Sequence, residues 1–202
     1  MKNMLLIGGS TGIGYELLQK LKEDNNVFIA TRNQEKFSDT NIKTNELNLD
    51  QEFETDWLPD HIDGFVYLPG TINLRPFKGL KPSLFLEDFN INVIGCIKIL
   101  QKVLPKIQKA KNPSIVMFST VAVKIGMPFH SSVSSSKGAI EGLTRSLAAE
   151  FAPKIRVNSI APSILETPMS EKFLNSETKL DNAKNRHPLK EIGSPKDISE
   201  IV

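Results

Sequence analysis

Cysteine is almost absent from this chain. Cys96 stands alone among 202 residues, so an internal disulfide is excluded, and its place in an apolar helical stretch reads as a core thiol rather than a nucleophile. The compartment expected is a reducing one. A block of like charge is also lacking: 25 basic and 23 acidic residues are scattered along the sequence for a formal net charge of +2. That argues against nucleic acid or a membrane surface as partner and leaves a small molecule. Long apolar runs are missing too. Met4-Leu5-Leu6-Ile7 meets Gly8 and Gly9 too early for the apolar region of a signal peptide, and no later stretch approaches the roughly 18 apolar residues of a membrane span. The expectation is a soluble, cytoplasmic protein. Repeats and low-complexity segments are absent as well.

What is present is an ordinary globular balance, 40% hydrophobic and 24% charged, in a length that makes one domain over 1–202. Short apolar runs at Leu5–Ile7, Val27–Ala30, Phe65–Leu68, Ile115–Ser119 and Val157–Ala161 read as buried parallel strands. Helical segments lie between them: Gly12–Lys22, Leu84–Ala110 with a break near Asn92, and Ser134–Phe151, which carries Ile140, Leu143, Leu147 and Phe151 at helical spacing. Strand–helix alternation predicts an α/β fold with a doubly wound parallel sheet. The chain stops at Val202 within a helix that begins after Pro195-Lys196-Asp197. A sheet of this type carries one more strand there, so either the sequence is truncated or its edge is covered otherwise.

The first strand runs into Gly8-Gly9-Ser10-Thr11-Gly12-Ile13-Gly14, and a helix opens directly after it. Glycine permits the tight turn and the approach of a pyrophosphate to the backbone, while free amides at the helix start offer positive partial charge. Gly8, Ser10, Thr11, Gly12, Ile13 and Gly14 are therefore candidate dinucleotide contacts. The spacing Gly-x-x-x-Gly-x-Gly resembles the short-chain dehydrogenase/reductase family, and the likeness extends over nearly the whole chain. It implies a Rossmann fold and a nicotinamide cofactor. Ile7 stands where that family often has threonine.

The second strand ends Ala30-Thr31 without an acidic partner for an adenosine ribose diol, and Arg32 follows. A guanidinium pairs with the extra phosphate that a carboxylate would repel, which favours NADP(H) over NAD(H). Asn48-Leu49 takes the place of the family's Asp-Val against adenine. Tyr67-Leu68-Pro69-Gly70 replaces Asn-Asn-Ala-Gly, so that Gly70 alone is kept for backbone approach to the ribose.

From Ile115 to Met169 the resemblance is strongest. Ile115-Val116-Met117-Phe118-Ser119-Thr120 resembles the catalytic-serine strand, with Thr120 at the serine position and Ser119 beside it; Ser136-Lys137-Gly138-Ala139 resembles the catalytic-lysine helix. Asn92 matches an asparagine that supports a water near the lysine. The family's Tyr-x-x-x-Lys, however, has Val133 in place of tyrosine, and a valine cannot transfer a proton. The enoyl-thioester reductase branch moves its tyrosine to seven residues before the lysine, where this chain has His130. An imidazolium there could donate to an enolate or alkoxide. A loop histidine without a catalytic part is the other reading, and the serines from Ser131 to Ser136 then serve only as helix caps.

Further on, Pro162-Ser163 stands for the family's Pro-Gly, and Leu165 and Thr167 match positions that hold the nicotinamide carboxamide. Residues 170–186 fall where the family places its mobile substrate lid. The resemblance also implies a homo-oligomer, dimer or tetramer, joined through the helices of Cys96 and Lys137, where Gly138, Gly142 and Ala148 permit close approach. Two functions remain open: an NADP(H)-dependent reductase of carbonyls or enoyl thioesters using Lys137, Thr120, Asn92 and His130, or an NADP-binding protein without catalysis. No metal site is expected.

Overall fold

The structure, a computed structural model, describes residues 1–37 and 42–202. Six strands form one parallel sheet: β1 Asn3–Ile7, β2 Asn26–Thr31, β3 Lys43–Glu46, β4 Gly64–Tyr67, β5 Ser114–Phe118 and β6 Arg156–Ile160. Their order across the sheet is β3-β2-β1-β4-β5-β6. Alternate side chains feed two apolar layers, as strand pleating requires. Leu5, Ile7, Phe65, Tyr67, Ile115 and Met117 enter one cluster, while Leu6, Val66, Val116 and Phe118 enter the other. Burial on both faces is why these strands read as unbroken apolar runs.

The eight α-helices among the described residues are α1 Gly12–Leu21, α2 Pro82–Phe89, α3 Gly95–Ile107, α4 Ala122–Ile125, α5 Ser131–Phe151, α6 Glu171–Leu174, α7 Glu177–Asn185 and α8 Pro195–Ser199. Along α5, Ile140 is buried in the first cluster and Leu143, Leu147 and Phe151 pack against that cluster, the stripe expected from their spacing. The break expected near Asn92 is a π-helical segment, Asn90–Ile94, between α2 and α3. The phenol of Tyr67 donates to Ile91 O at 2.7 Å, satisfying a carbonyl in the stretch where the helical ladder changes pitch.

One strand escaped the apolar-run criterion. β3 is Lys-Thr-Asn-Glu, an edge strand with β2 as its neighbour, and polar side chains suit an edge that faces water. At the other edge β6 pairs with β5. No strand follows α8 among the described residues. That helix returns to α1: Ile198 and Val202 pack against the second cluster, and Lys20 Nζ meets Glu200 at 2.6 Å.

Candidate functional site

The carboxyl ends of the strands gather most of the residues singled out above. After β1, Gly8, Gly9 and Gly12 take φ of +84°, +115° and +55°, a region that side chains other than glycine rarely occupy. Gly14 is held by proximity instead, since a Cβ there would lie 2.4 Å from Gly9 Cα. Thr11 caps α1 with extended backbone and no side-chain hydrogen bond. The first-turn amides thus face out of the helix without a side-chain cap, the arrangement that attracts a phosphate.

The charges around this turn include one that linear spacing concealed. Arg32 is exposed after β2 and lines a cavity of about 340 Å³ with Asn33, Gln34, Glu35 and Glu46. Lys36 folds back from the same loop, donating to Ser10 O at 2.5 Å with its ammonium 4.2 Å from the centre of the Tyr15 ring. Asn48 and Leu49 line a second cavity, of about 460 Å³, with Gly95, Lys98 and Lys102 among its other walls.

Gly70, Asn92 and Lys137 converge. A Cβ on Gly70 would lie 3.2 Å from Asn92 Oδ1 and 3.4 Å from Lys137 Nζ. Lys137 is 8% exposed, and burial pulls its ammonium down from 10.5 to about 8, because the charged form loses hydration. The same burial pushes the Cys96 thiol up to about 12. Cys96 is therefore neutral where Lys137 titrates, which leaves the Asp88 carboxylate as the counter-charge that opposes the shift.

Asp88 carries no sequence signature, yet it organises this corner. Fully buried, it accepts from Thr71 Oγ1 at 2.5 Å, Asn73 Nδ2 at 2.7 Å and Ser132 Oγ at 2.5 Å. Asn92 Nδ2 joins them by donating to Thr71 Oγ1 and to Asp88 O. Its Oδ1 is buried without a partner, an acceptor left open beside the lysine. These groups fit a ribose edge: a cation and an acceptor, with a glycine where a side chain would block approach. Ser132, one of the expected caps, is thus committed to Asp88, and the residue at the N-cap of α5 is His130.

Thr120 sits just after β5 with its hydroxyl accepting from Ala122 N at 3.3 Å. Its neighbour Ser119 turns the other way, donating to Glu141 Oε1 at 2.7 Å. Val133 is buried on the same side of α5 as Lys137 and belongs to neither apolar cluster among the described residues. His130 is partly buried, and its Nδ1 lies 2.7 Å from Pro128 O. No described hydrogen bond ties it to Thr120 or Lys137.

The segment after β6 closes the site. Val121 N donates to Pro162 O at 3.1 Å, which ties the segment to the end of β5. Leu165 bridges to Gly193, and the methyl of Thr167 reaches 3.3 Å from where a Cβ on Gly12 would stand. Thr167 and Ser170 form a compact loop in which Ser170 Oγ also donates to Leu165 O. Residues 170–186 hold α6 and α7, which pack on each other. Among the described residues no three His, Cys, Asp or Glu side chains are grouped to hold a metal, and no helix is long and apolar enough to cross a membrane.

Comparison with known proteins gives the family and the fold. Residues 39–202 match the family model described as "Enoyl-(Acyl carrier protein) reductase". The chain is 36% identical over 114 residues to the 3-oxoacyl-[acyl-carrier-protein] reductase FabG of Thermotoga maritima, a match spanning 56% of this chain and 46% of that reductase. It is 26% identical over 219 aligned positions to the cyclopentanol dehydrogenase of Comamonas testosteroni, covering 100% of this chain and 88% of the relative. Among solved structures, ElxO with NADP bound superposes with a TM-score of 0.84 at 28% identity, over 98% of this chain and 88% of ElxO. The chain belongs to the short-chain dehydrogenase/reductase family of oxidoreductases, and its six-stranded parallel sheet is a Rossmann fold.

Proposed function

We propose that the protein is an NADP(H)-dependent oxidoreductase that reduces a carbonyl or an enoyl thioester. The observation that carries this reading is the convergence of Lys137 Nζ, Asn92 Oδ1 and Gly70 on the same edge of the sheet as the glycine turn. In this reading Gly8, Ser10, Thr11, Gly12, Ile13 and Gly14 hold the pyrophosphate, and Gly70 and Lys137 hold the nicotinamide ribose. Leu165 and Thr167 hold the carboxamide. Bound there, the nicotinamide supplies a hydride. Thr120 orients the substrate oxygen and Asn92 supports the lysine. Residues 170–186 cover the substrate. Arg32 and Lys36 favour the 2′-phosphate, opposed by Glu35 and Glu46 at the same cavity. ElxO binds NADP, which supports the same preference. Assembly through α3 and α5 is consistent with Gly142, where an added Cβ would meet nothing within 4 Å.

A second reading, dinucleotide binding without catalysis, is favoured by Val133. It fills the tyrosine's position with a buried alkyl group, and the proton has to come from elsewhere. The test is to titrate the protein with NADPH and NADH, then assay it with ketones and enoyl thioesters, with His130→Ala alongside. Turnover with NADPH supports the first reading, and a loss in the variant assigns the proton to His130. Binding without turnover supports the second reading. Arg32→Ala is expected to weaken NADPH about tenfold or more while leaving NADH unchanged, since one charge-assisted phosphate contact contributes about 1.5–3 kcal/mol; equal losses for both would overturn the NADP assignment.

A further inference from the structure

Ser163 and His187 lie 24 residues apart and are in contact: His187 Nε2 is 2.7 Å from Ser163 Oγ. The other ring nitrogen, Nδ1, is 2.9 Å from Ala183 O. A carbonyl oxygen can only accept, so Nδ1 carries a hydrogen, and in the neutral ring Nε2 is left as the acceptor of the serine proton. In the doubly protonated ring the direction reverses. Nε2–H then donates to Ser163 Oγ, and the hydroxyl hydrogen is released for a third group. Nucleophile–base pairs use this orientation logic, with the base held by a third partner.

The place of the pair matters as much as its geometry. Pro162 is tied to Val121, next to Thr120, while Thr167 reaches the glycine turn at Gly12. Residues 163–166 therefore cross from the Thr120 strand end to the dinucleotide turn, over the carboxyl edge of the sheet where ligands of such folds bind. Both side chains are partly exposed. Ser163 stands where the family has glycine, yet its φ is not among the positive ones. The backbone thus has no need of glycine here, and the serine adds a hydroxyl.

Resting on the oxidoreductase reading above, we propose that Ser163 and His187 form the proton relay that replaces the missing tyrosine. As the substrate oxygen gains charge, it takes the Ser163 hydroxyl proton and forms a new O–H bond. The serine oxygen takes the proton from His187 Nε2. The imidazole is left neutral with Nδ1–H still on Ala183 O, and solvent restores its proton. No electrons pass through the pair, and in the reverse direction the neutral pair accepts the alcohol's proton.

The test uses the full chain with NADPH and three substrates: the acetoacetyl and crotonyl thioesters of coenzyme A, and cyclopentanone. Ser163→Gly restores the family residue and His187→Gln keeps an amide in place of the ring, while His187→Ala opens the site for rescue. Each variant is expected to lose about 100-fold or more in kcat, the scale of a general acid, with NADPH Kd and Tm close to wild type. Added imidazole is expected to restore turnover to His187→Ala and not to Ser163→Gly. Independently of activity, the ¹⁵N spectrum of histidine-labelled apoprotein, followed with rising pH until the ring is neutral, should give the Nδ1–H tautomer for His187, with an Nε2 resonance that moves in Ser163→Gly. An Nε2–H tautomer, or wild-type turnover in the variants, overturns the relay alone. A wild-type protein that binds NADPH and turns over none of the three substrates overturns the enzymatic reading and the relay with it.

Discussion

Replacing Lys137 with methionine separates what the buried lysine does to stability from what it does for a ligand. In the folded chain its ammonium titrates near 8 rather than 10.5. At about 1.4 kcal/mol per pH unit, folding with the charge at that position is about 3 kcal/mol less favourable than folding with the free amine. The direction in pH follows from which state holds the proton. Below pH 8 both folded and unfolded chains are protonated and the cost is present in full. Between 8 and 10.5 the unfolded chain keeps a proton that the folded one has released, so stability rises with pH. Methionine fills a similar volume and does not titrate. The difference in unfolding free energy between wild type and Lys137→Met should therefore move by about 3 kcal/mol in favour of wild type from pH 7 to pH 10.5. Urea melts of both proteins followed by circular dichroism across that range measure it, and other titrating groups cancel in the difference. A difference constant to within about 0.5 kcal/mol would refute the claim that burial depresses this lysine.

Three further outcomes follow from the same geometry. NADPH affinity should run opposite to stability, weakening about tenfold per unit as pH rises above 8, because the ligand needs the ammonium and the fold favours the amine; a titration at fixed ionic strength reads it. Gly14→Ala should lower stability by about 1–3 kcal/mol and abolish dinucleotide binding, since its methyl would meet the Gly9 backbone at 2.4 Å. Asp88→Ala should lower stability by about 3 kcal/mol in denaturant melts by stranding the donors of Thr71, Asn73 and Ser132; a loss under about 1 kcal/mol would mean that these donors find other acceptors.

Legibility in the sequence followed the range of the interaction. The strands could be read because a parallel strand buried on both faces must be apolar at consecutive positions. α5 could be read because Ile140, Leu143, Leu147 and Phe151 repeat on one face. β3 could not, since an edge strand of Lys-Thr-Asn-Glu carries no apolar signal. Lys137, Asn92 and Gly70 could be named from motif resemblance, but only folding makes them neighbours. The partners of Asp88 come from positions 71, 73 and 132, and no spacing rule connects those numbers. Lys36 was likewise hidden, because it lies four positions beyond Arg32 in the sequence while the fold carries it back to Ser10.

By itself the sequence determined that a glycine turn follows a buried strand and opens a helix, and that Val133 occupies the position where the family carries its acid. Both are matters of residue type at short range, where covalent geometry leaves few alternatives. Tertiary structure alone decided that Asp88 is the counter-charge of Lys137 and that His187 meets Ser163. Those contacts are set by how helices pack across the sheet, and burial then gives each charge or proton an energy that no linear motif encodes.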